Sequence, residues 1–223
     1  MSPDILALFD LDHTLLAGDC DEAWVAFLIG EGILDRERFE RGNRTVTERY
    51  RRGEVGVLEF TEFYTSTLAA GDPAELDALR ERYLEQSIRP AITASARKLV
   101  ERHRGAGHLL VLTTAANRFL AAPIAAELGF EHLIATEPAT QGGRFTGAVA
   151  GTPNMREGKI ARLEQWLAQL GVSLDSFRES WFYSDSRNDI PLLSRVTHPV
   201  AVNPDPTLAE LARARRWPVL EVG

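Results

Sequence analysis

Two carboxylates one residue apart, Asp10 and Asp12, follow directly on the apolar run Ile5-Leu6-Ala7-Leu8-Phe9, and Thr14 stands two places on. A short apolar run bounded by polar residues reads as a strand buried on both faces of a parallel sheet. Its carboxyl end is where open α/β sheets bind ligands. Two acids there, with little nearby to neutralise them, invite a hard cation such as Mg²⁺. Taken alone, the pair also suits an Asx turn with both side chains in water. Three more signals stand at strand ends or at a helix start. Thr113-Thr114-Ala115 ends the apolar run that begins at Leu109. Lys159 comes early in an amphipathic stretch, and Ser184-Asp185-Ser186-Arg187-Asn188-Asp189 follows Trp181-Phe182-Tyr183.

The elements that must position these residues alternate. From residue 88 onward the pattern predicts helix 94–104, strand 109–113, a helical stretch ending at Gly129 and strand 133–136. A hairpin around Gly142-Gly143, helix 156–170, strands 181–184 and 200–203, and a helix started by Asp205-Pro206 complete it. Such repetition means a parallel sheet with right-handed crossovers, an α/β core of Rossmann type with helices on both faces. Residues 16–87 interrupt it and read as helical throughout. Asp21 is expected to cap a helix carrying Trp24, Phe27 and Leu28, and Asp72-Pro73-Ala74-Glu75 is a helix start. We therefore expect a discontinuous core of residues 1–15 and 88–223, with a small all-helical cap of residues 16–87 inserted in it.

Composition excludes several classes. The chain has 223 residues and a formal net charge of −7, which argues against a nucleic-acid partner. No apolar stretch approaches the roughly 18 residues of a membrane span, and the N-terminus lacks the basic start of a signal peptide. The single cysteine, Cys20, excludes an internal disulfide and fits a reducing, cytoplasmic setting. Gly158-Lys159 is not a P-loop, because Pro153 and Ile160 stand where that motif needs Gly and Ser or Thr.

The four signals, in this order, resemble the haloacid dehalogenase superfamily of phosphohydrolases, from Ile5 to about Asn203, and within it the phosphoserine-phosphatase-like branch. The helical insertion is similar to the type 1 cap of that superfamily. The resemblance implies a phosphatase acting on a small phosphorylated metabolite. It makes Asp10 the nucleophile that forms an aspartyl-phosphate and Asp12 the general acid and base. It gives Thr114 a phosphoryl oxygen to bond, with Thr113 as the alternative hydroxyl, and has Lys159 offset charge on the phosphoryl group and on Asp10. Mg²⁺ would be held by Asp10, the backbone carbonyl of Asp12 and Asp185, with Asp189 as a further acid of the same metal site, as a ligand or through a bound water. Asp19 takes the place at which phosphoserine phosphatases meet the substrate ammonium. Tyr64 stands near the place of the arginine that meets the substrate carboxylate. Asn117 and Asn188 are expected to line the same pocket, and His13 is expected to be packing. An anion for an ammonium, without a cation for a carboxylate, suits a phosphorylated amino alcohol such as histidinol phosphate. Phosphoserine, or transfer of the phosphoryl group to an acceptor other than water, is the alternative.

Overall fold

The computed structural model describes residues 4–222. The chain opens on β1 (Ile5–Phe9) and makes four helices, α1 (Cys20–Gly30), α2 (Arg36–Arg51), α3 (Val57–Thr65) and α4 (Pro73–Tyr83). It then enters α5 (Ala94–Gly105), β2 (Leu109–Asn117), α6 (Arg118–Glu127) and β3 (His132–Thr136). The hairpin β4 (Pro138–Gln141) and β5 (Arg144–Val149) precedes α7 (Glu157–Gln169) and β6 (Glu179–Ser184). α8 (Ile190–Leu193), β7 (His198–Val202), α9 (Pro206–Arg215) and β8 (Val219–Leu220) complete it. Six strands form one parallel sheet in the order β3-β2-β1-β6-β7-β8. This is the α/β, Rossmann-like core read from the sequence. The chain leaves β1 towards β2 on one side and returns to β6 on the other. The crevice for a ligand therefore opens at the carboxyl end of β1.

β1 is apolar at every position because both of its faces are covered. Leu6 and Leu8 pack with Leu163 and Leu167 of α7, Leu192 and Leu193 of α8, and Leu208 of α9. Ala7 and Phe9 join the opposite layer, with Leu99 of α5 and Leu120 and Ile124 of α6. Phe9 also stacks on Tyr183 of β6 at 5.0 Å between ring centroids. The most deeply buried strand is thus clamped directly below the two aspartates.

Residues 16–87 are helical, and their two ends lie side by side. The Ala17 N–H donates to the Ala91 carbonyl at 2.9 Å, and Leu16 bridges to Ile92. Trp24, Phe27, Leu68, Leu76 and Tyr83 extend the apolar layer of Phe9 and Leu120 into this segment. The hairpin leans on it too. The Val149 N–H donates to Glu62, and at Gly147 (φ +85°) an added Cβ would come within 3.2 Å of the Ser66 backbone. Only a glycine allows that approach.

Two local expectations are corrected. Asp19, not Asp21, caps α1: its carboxylate accepts from the Glu22 N–H at 2.9 Å, which places Asp21 in the first turn. β2 runs past Thr113 to Asn117, with a break in its register to β3 between those residues. The helix starts at Asp72-Pro73 and Asp205-Pro206 form as read, with the Ala74 and Leu208 N–H groups donating to the two caps.

Candidate active site

Asp10 is the first residue beyond β1, and its N–H donates to the Tyr183 carbonyl at 2.9 Å, so β6 sets its height. The Asp10 side chain is buried. Lys159, in the first turn of α7, is buried too. Its ammonium donates to Asp10 Oδ1 and to Asp189 Oδ2, both at 2.7 Å. Ser184 Oγ donates to the same Asp189 oxygen at 2.7 Å. Asp12 Oδ1 accepts from the Cys20 N–H at 2.7 Å, and its Oδ2 faces the Thr114 hydroxyl at 3.4 Å. Thr14 Oγ1 reaches Asp185 Oδ1 at 3.4 Å, and the Asp185 carbonyl accepts from the Asp205 N–H at 2.8 Å. Residues scattered over most of the chain thus converge on one point, because the carboxyl ends of β1, β2 and β6 and the start of α7 lie at the same edge of the parallel sheet.

The two threonines part company. Thr113 Oγ1 accepts from the Asn154 amide at 3.0 Å, inside the core. Thr114 Oγ1 takes the Ala116 N–H at 3.1 Å and looks towards Asp12. Asn154, which the sequence reading passed over, makes this possible. It is fully buried, and its amide also donates to the carbonyls of Thr114 and Ile134, both at 2.9 Å. It fills the gap that the register break opens between β2 and β3. A lone asparagine in a loop carries no sequence signal for such a role, since its partners lie on other strands.

A cavity of about 270 Å³ opens above these groups. Asp10, Asp12, Lys159, Asp185, Asp189 and Asn188 form its floor, and Asp19, Asp21, Glu22, Phe60, Thr61 and Tyr64 come from the helical segment. No arginine lines it among the described residues. The Tyr64 hydroxyl donates to Asn43 at 3.0 Å, while Arg49 and Arg52 pair with Glu59 and with Glu48 and Glu54. Asn117, expected on the pocket wall, instead lies buried behind it. It caps α6 through the Leu120 N–H and donates to Asp21 Oδ1 at 3.1 Å. His13, read as packing, is exposed at φ +53° and lines the cavity, because β1 ends at Phe9 and the turn beyond Asp12 breaks the alternation.

The charges are strongly coupled to burial. Burial, then the charge of Asp189, pushes the Asp10 carboxyl up to about 6 against the pull of Lys159. Burial and the carboxylates of Asp19, Asp10 and Asp21 hold Asp12 well above the usual range. Burial, with Asp10 and Asp189, takes Asp185 to about 8. Burial and Asp19 take Asp21 to about 8, opposed by its hydrogen bond from Asn117. Burial lowers the pKa of Lys159, but Asp10 and Asp189 outweigh it and hold the ammonium above the ordinary lysine value. Asp10, Asp185 and Asp189 thus share one ammonium, and the excess negative charge is what a divalent cation offsets. Two oxygens of Asp10 and Asp185 beside a strand-end backbone carbonyl are a hard, all-oxygen donor set. Asp189 Oδ2 is already taken by Lys159 and Ser184.

Comparison with known proteins shows the family of the chain. The sequence matches the haloacid dehalogenase-like hydrolase family over residues 7–194. It is 40% identical over 216 residues to a histidinol-phosphatase of Neisseria meningitidis serogroup C, covering 96% of this chain and 97% of that protein. It is 32% identical over 224 residues to phosphoserine phosphatase SerB1 of Mycobacterium tuberculosis, covering 96% of this chain and 69% of that protein. Among solved structures, a protein of unknown function from Bordetella pertussis Tohama I superimposes with a TM-score of 0.93 at 49% identity, covering 98% of this chain and 99% of the other. A substrate-bound phosphoserine phosphatase superimposes with a TM-score of 0.67 at 19% identity, covering 96% of this chain and 91% of the other, a likeness of fold.

Proposed function

Because the chain belongs to the haloacid dehalogenase-like hydrolases and is a phosphoric monoester hydrolase, we propose that it works through an aspartyl-phosphate on Asp10, with Mg²⁺, and that its substrate is a phosphorylated amino alcohol of the histidinol phosphate kind. The observation that carries the substrate reading is the wall above Asp12: Asp19, Asp21 and Glu22 line it, and no arginine does among the described residues.

In the first step the Asp10 carboxylate attacks phosphorus and the bond to the leaving alkoxide breaks. Asp12, whose proton is held firmly by its surroundings, gives that proton to the alkoxide. In the second step Asp12 takes a proton from water, whose oxygen attacks phosphorus, and the bond to Asp10 breaks. Phosphate leaves, Asp10 is a carboxylate again and Asp12 is protonated again. Lys159 keeps Asp10 ionised and offsets charge on the phosphoryl oxygens, and Thr114 donates to one of them. Mg²⁺, bound by Asp10, Asp185 and the Asp12 carbonyl, would neutralise phosphoryl charge as a Lewis acid. Asp189 holds Lys159 in place. Asp19 is the partner for the substrate ammonium. A phosphoserine carboxylate would lie beside Asp19, Asp21 and Glu22 with no arginine to pair with among the described lining residues, and leaving it unpaired costs several kcal/mol.

The test is phosphate release from a panel of phosphorylated metabolites, with Mg²⁺ and with EDTA. The expected result is a kcat/KM for histidinol phosphate well above that for phosphoserine. A clear preference for phosphoserine overturns the substrate reading. Phosphate release that is unaffected by exhaustive chelation overturns the metal.

A further inference from the structure

Arg156 has φ +53° and ψ −126°, a backbone conformation that a residue with a Cβ adopts only when its surroundings force it. It is the residue just ahead of α7, three places before Lys159, and its carbonyl accepts from the Lys159 N–H at 3.1 Å. The turn cannot relax around it, because at Gly158 a Cβ would lie 2.1 Å from the Pro153 carbonyl oxygen. The Arg156 side chain links the Asn188 loop to α2. Its Nε donates to Asn188 Oδ1 at 3.2 Å, and its guanidinium lies 4.8 Å from the centre of the Tyr50 ring at the end of α2. Tyr50 in turn stacks on Phe60 at 4.7 Å, and Phe60 packs edge-on against Tyr64 at 5.9 Å. Asn188, Phe60 and Tyr64 all line the cavity. Arg49 and Arg52, close by on the same segment as Tyr50, are in ion pairs with glutamates, whereas among the described residues Arg156 pairs with no acid. The buried Tyr50 hydroxyl has no partner, so Tyr50 is held by its ring and not by its oxygen.

We infer that Arg156 is a positioning residue: it pins the aromatic wall of Tyr50, Phe60 and Tyr64 to the Asn188 loop and so sets the width of the leaving-group pocket. It touches no reacting atom. Its effect belongs in the affinity for a leaving group large enough to meet the wall, with the chemical step at Asp10 left intact. The inference rests on the phosphatase reading above.

Steady-state kinetics with histidinol phosphate and with acetyl phosphate, whose leaving group is small, test it. Arg156→Ala should raise KM for histidinol phosphate by about 3- to 30-fold, the range of a cation–π contact, and leave kcat within about twofold. Tyr50→Leu should do the same, and the double variant should be no worse than either single one. Arg156→Lys should recover part of the loss, and Tyr50→Phe should match the wild type. KM for acetyl phosphate should hardly move. Additive losses, a fall in kcat at unchanged KM, or Tyr50→Phe as poor as Tyr50→Leu would overturn the inference. An Arg156→Ala variant indistinguishable from an active wild type would overturn it too. A wild type that hydrolyses neither compound would instead overturn the phosphatase reading.

Discussion

At the scale of single residues, Lys159 is the pivot of the site, since its ammonium pairs with the buried carboxylates of both Asp10 and Asp189. Asp10→Asn removes the nucleophile and one negative charge but keeps the shape. Turnover should fall below a few per cent of wild type while the melting temperature stays within a few degrees; phosphate release and thermal melting, measured together, check both. Asp19 poses a different problem, because it caps α1 as well as lining the cavity. Asp19→Ser separates the two roles, since serine still caps. It should retain stability but lose about 10- to 150-fold in kcat/KM for histidinol phosphate, the range expected for a charge-assisted hydrogen bond. Para-nitrophenyl phosphate, which has no ammonium, should be hydrolysed almost as before. Equal losses on both substrates would remove Asp19 from its assigned role.

At the scale of elements, the turn into α7 and the packing of α5 on β6 each make a prediction. Gly158→Ala drives a methyl group into the Pro153 carbonyl. It should cost about 1–3 kcal/mol and shift Lys159, so both the urea midpoint and kcat should fall. On α5, the buried His103 ring contacts Tyr183 Oη and His108 Nδ1, both at 2.8 Å. Burial, then His108 and Arg102, pushes its pKa down to about 4 from the ordinary 6.5. The unfolded chain therefore takes up a proton below pH 6.5 that the folded chain refuses until about pH 4. Stability is fully present above pH 6.5 and declines as pH falls towards 4, by up to about 3 kcal/mol. The raised carboxyls of Asp21 and Asp185 act in the opposite sense. The clean measurement is the drop in melting temperature from pH 7.5 to pH 5 in wild type and in His103→Gln, and the variant should show the smaller drop.

At the scale of the whole molecule, a parallel sheet gathers acids from both sides of β1 into one crevice and leaves them short of positive charge. On the proposed metal role, Mg²⁺ should therefore raise the melting temperature as well as support turnover, because these donors come together only in the folded chain. EDTA should abolish both effects, and Ca²⁺, which prefers more ligands at longer distance, should restore the stability better than the activity. Unchanged melting on adding Mg²⁺ would count against the metal site. Much of this was readable in the sequence. Asp10, Asp12 and Asp185 stand just beyond strands, Lys159 stands at a helix start and Thr114 lies in the last part of β2, and a parallel sheet with right-handed crossovers brings such positions to one edge. The rest was decided only by tertiary structure. Moving the start of α1 by two residues turns a side chain by about 200° round the helix, so whether Asp19 or Asp21 capped it depended on where the chain leaves β1. His13 turned outward because the backbone there has a positive φ, and no period-two pattern contains that. Asn154 and Arg156 carry no motif at all. Their roles exist only once β2, β3, α2 and the Asn188 loop are near them, because a hydrogen bond or a ring contact across the fold is a property of the assembled chain and not of its local spacing.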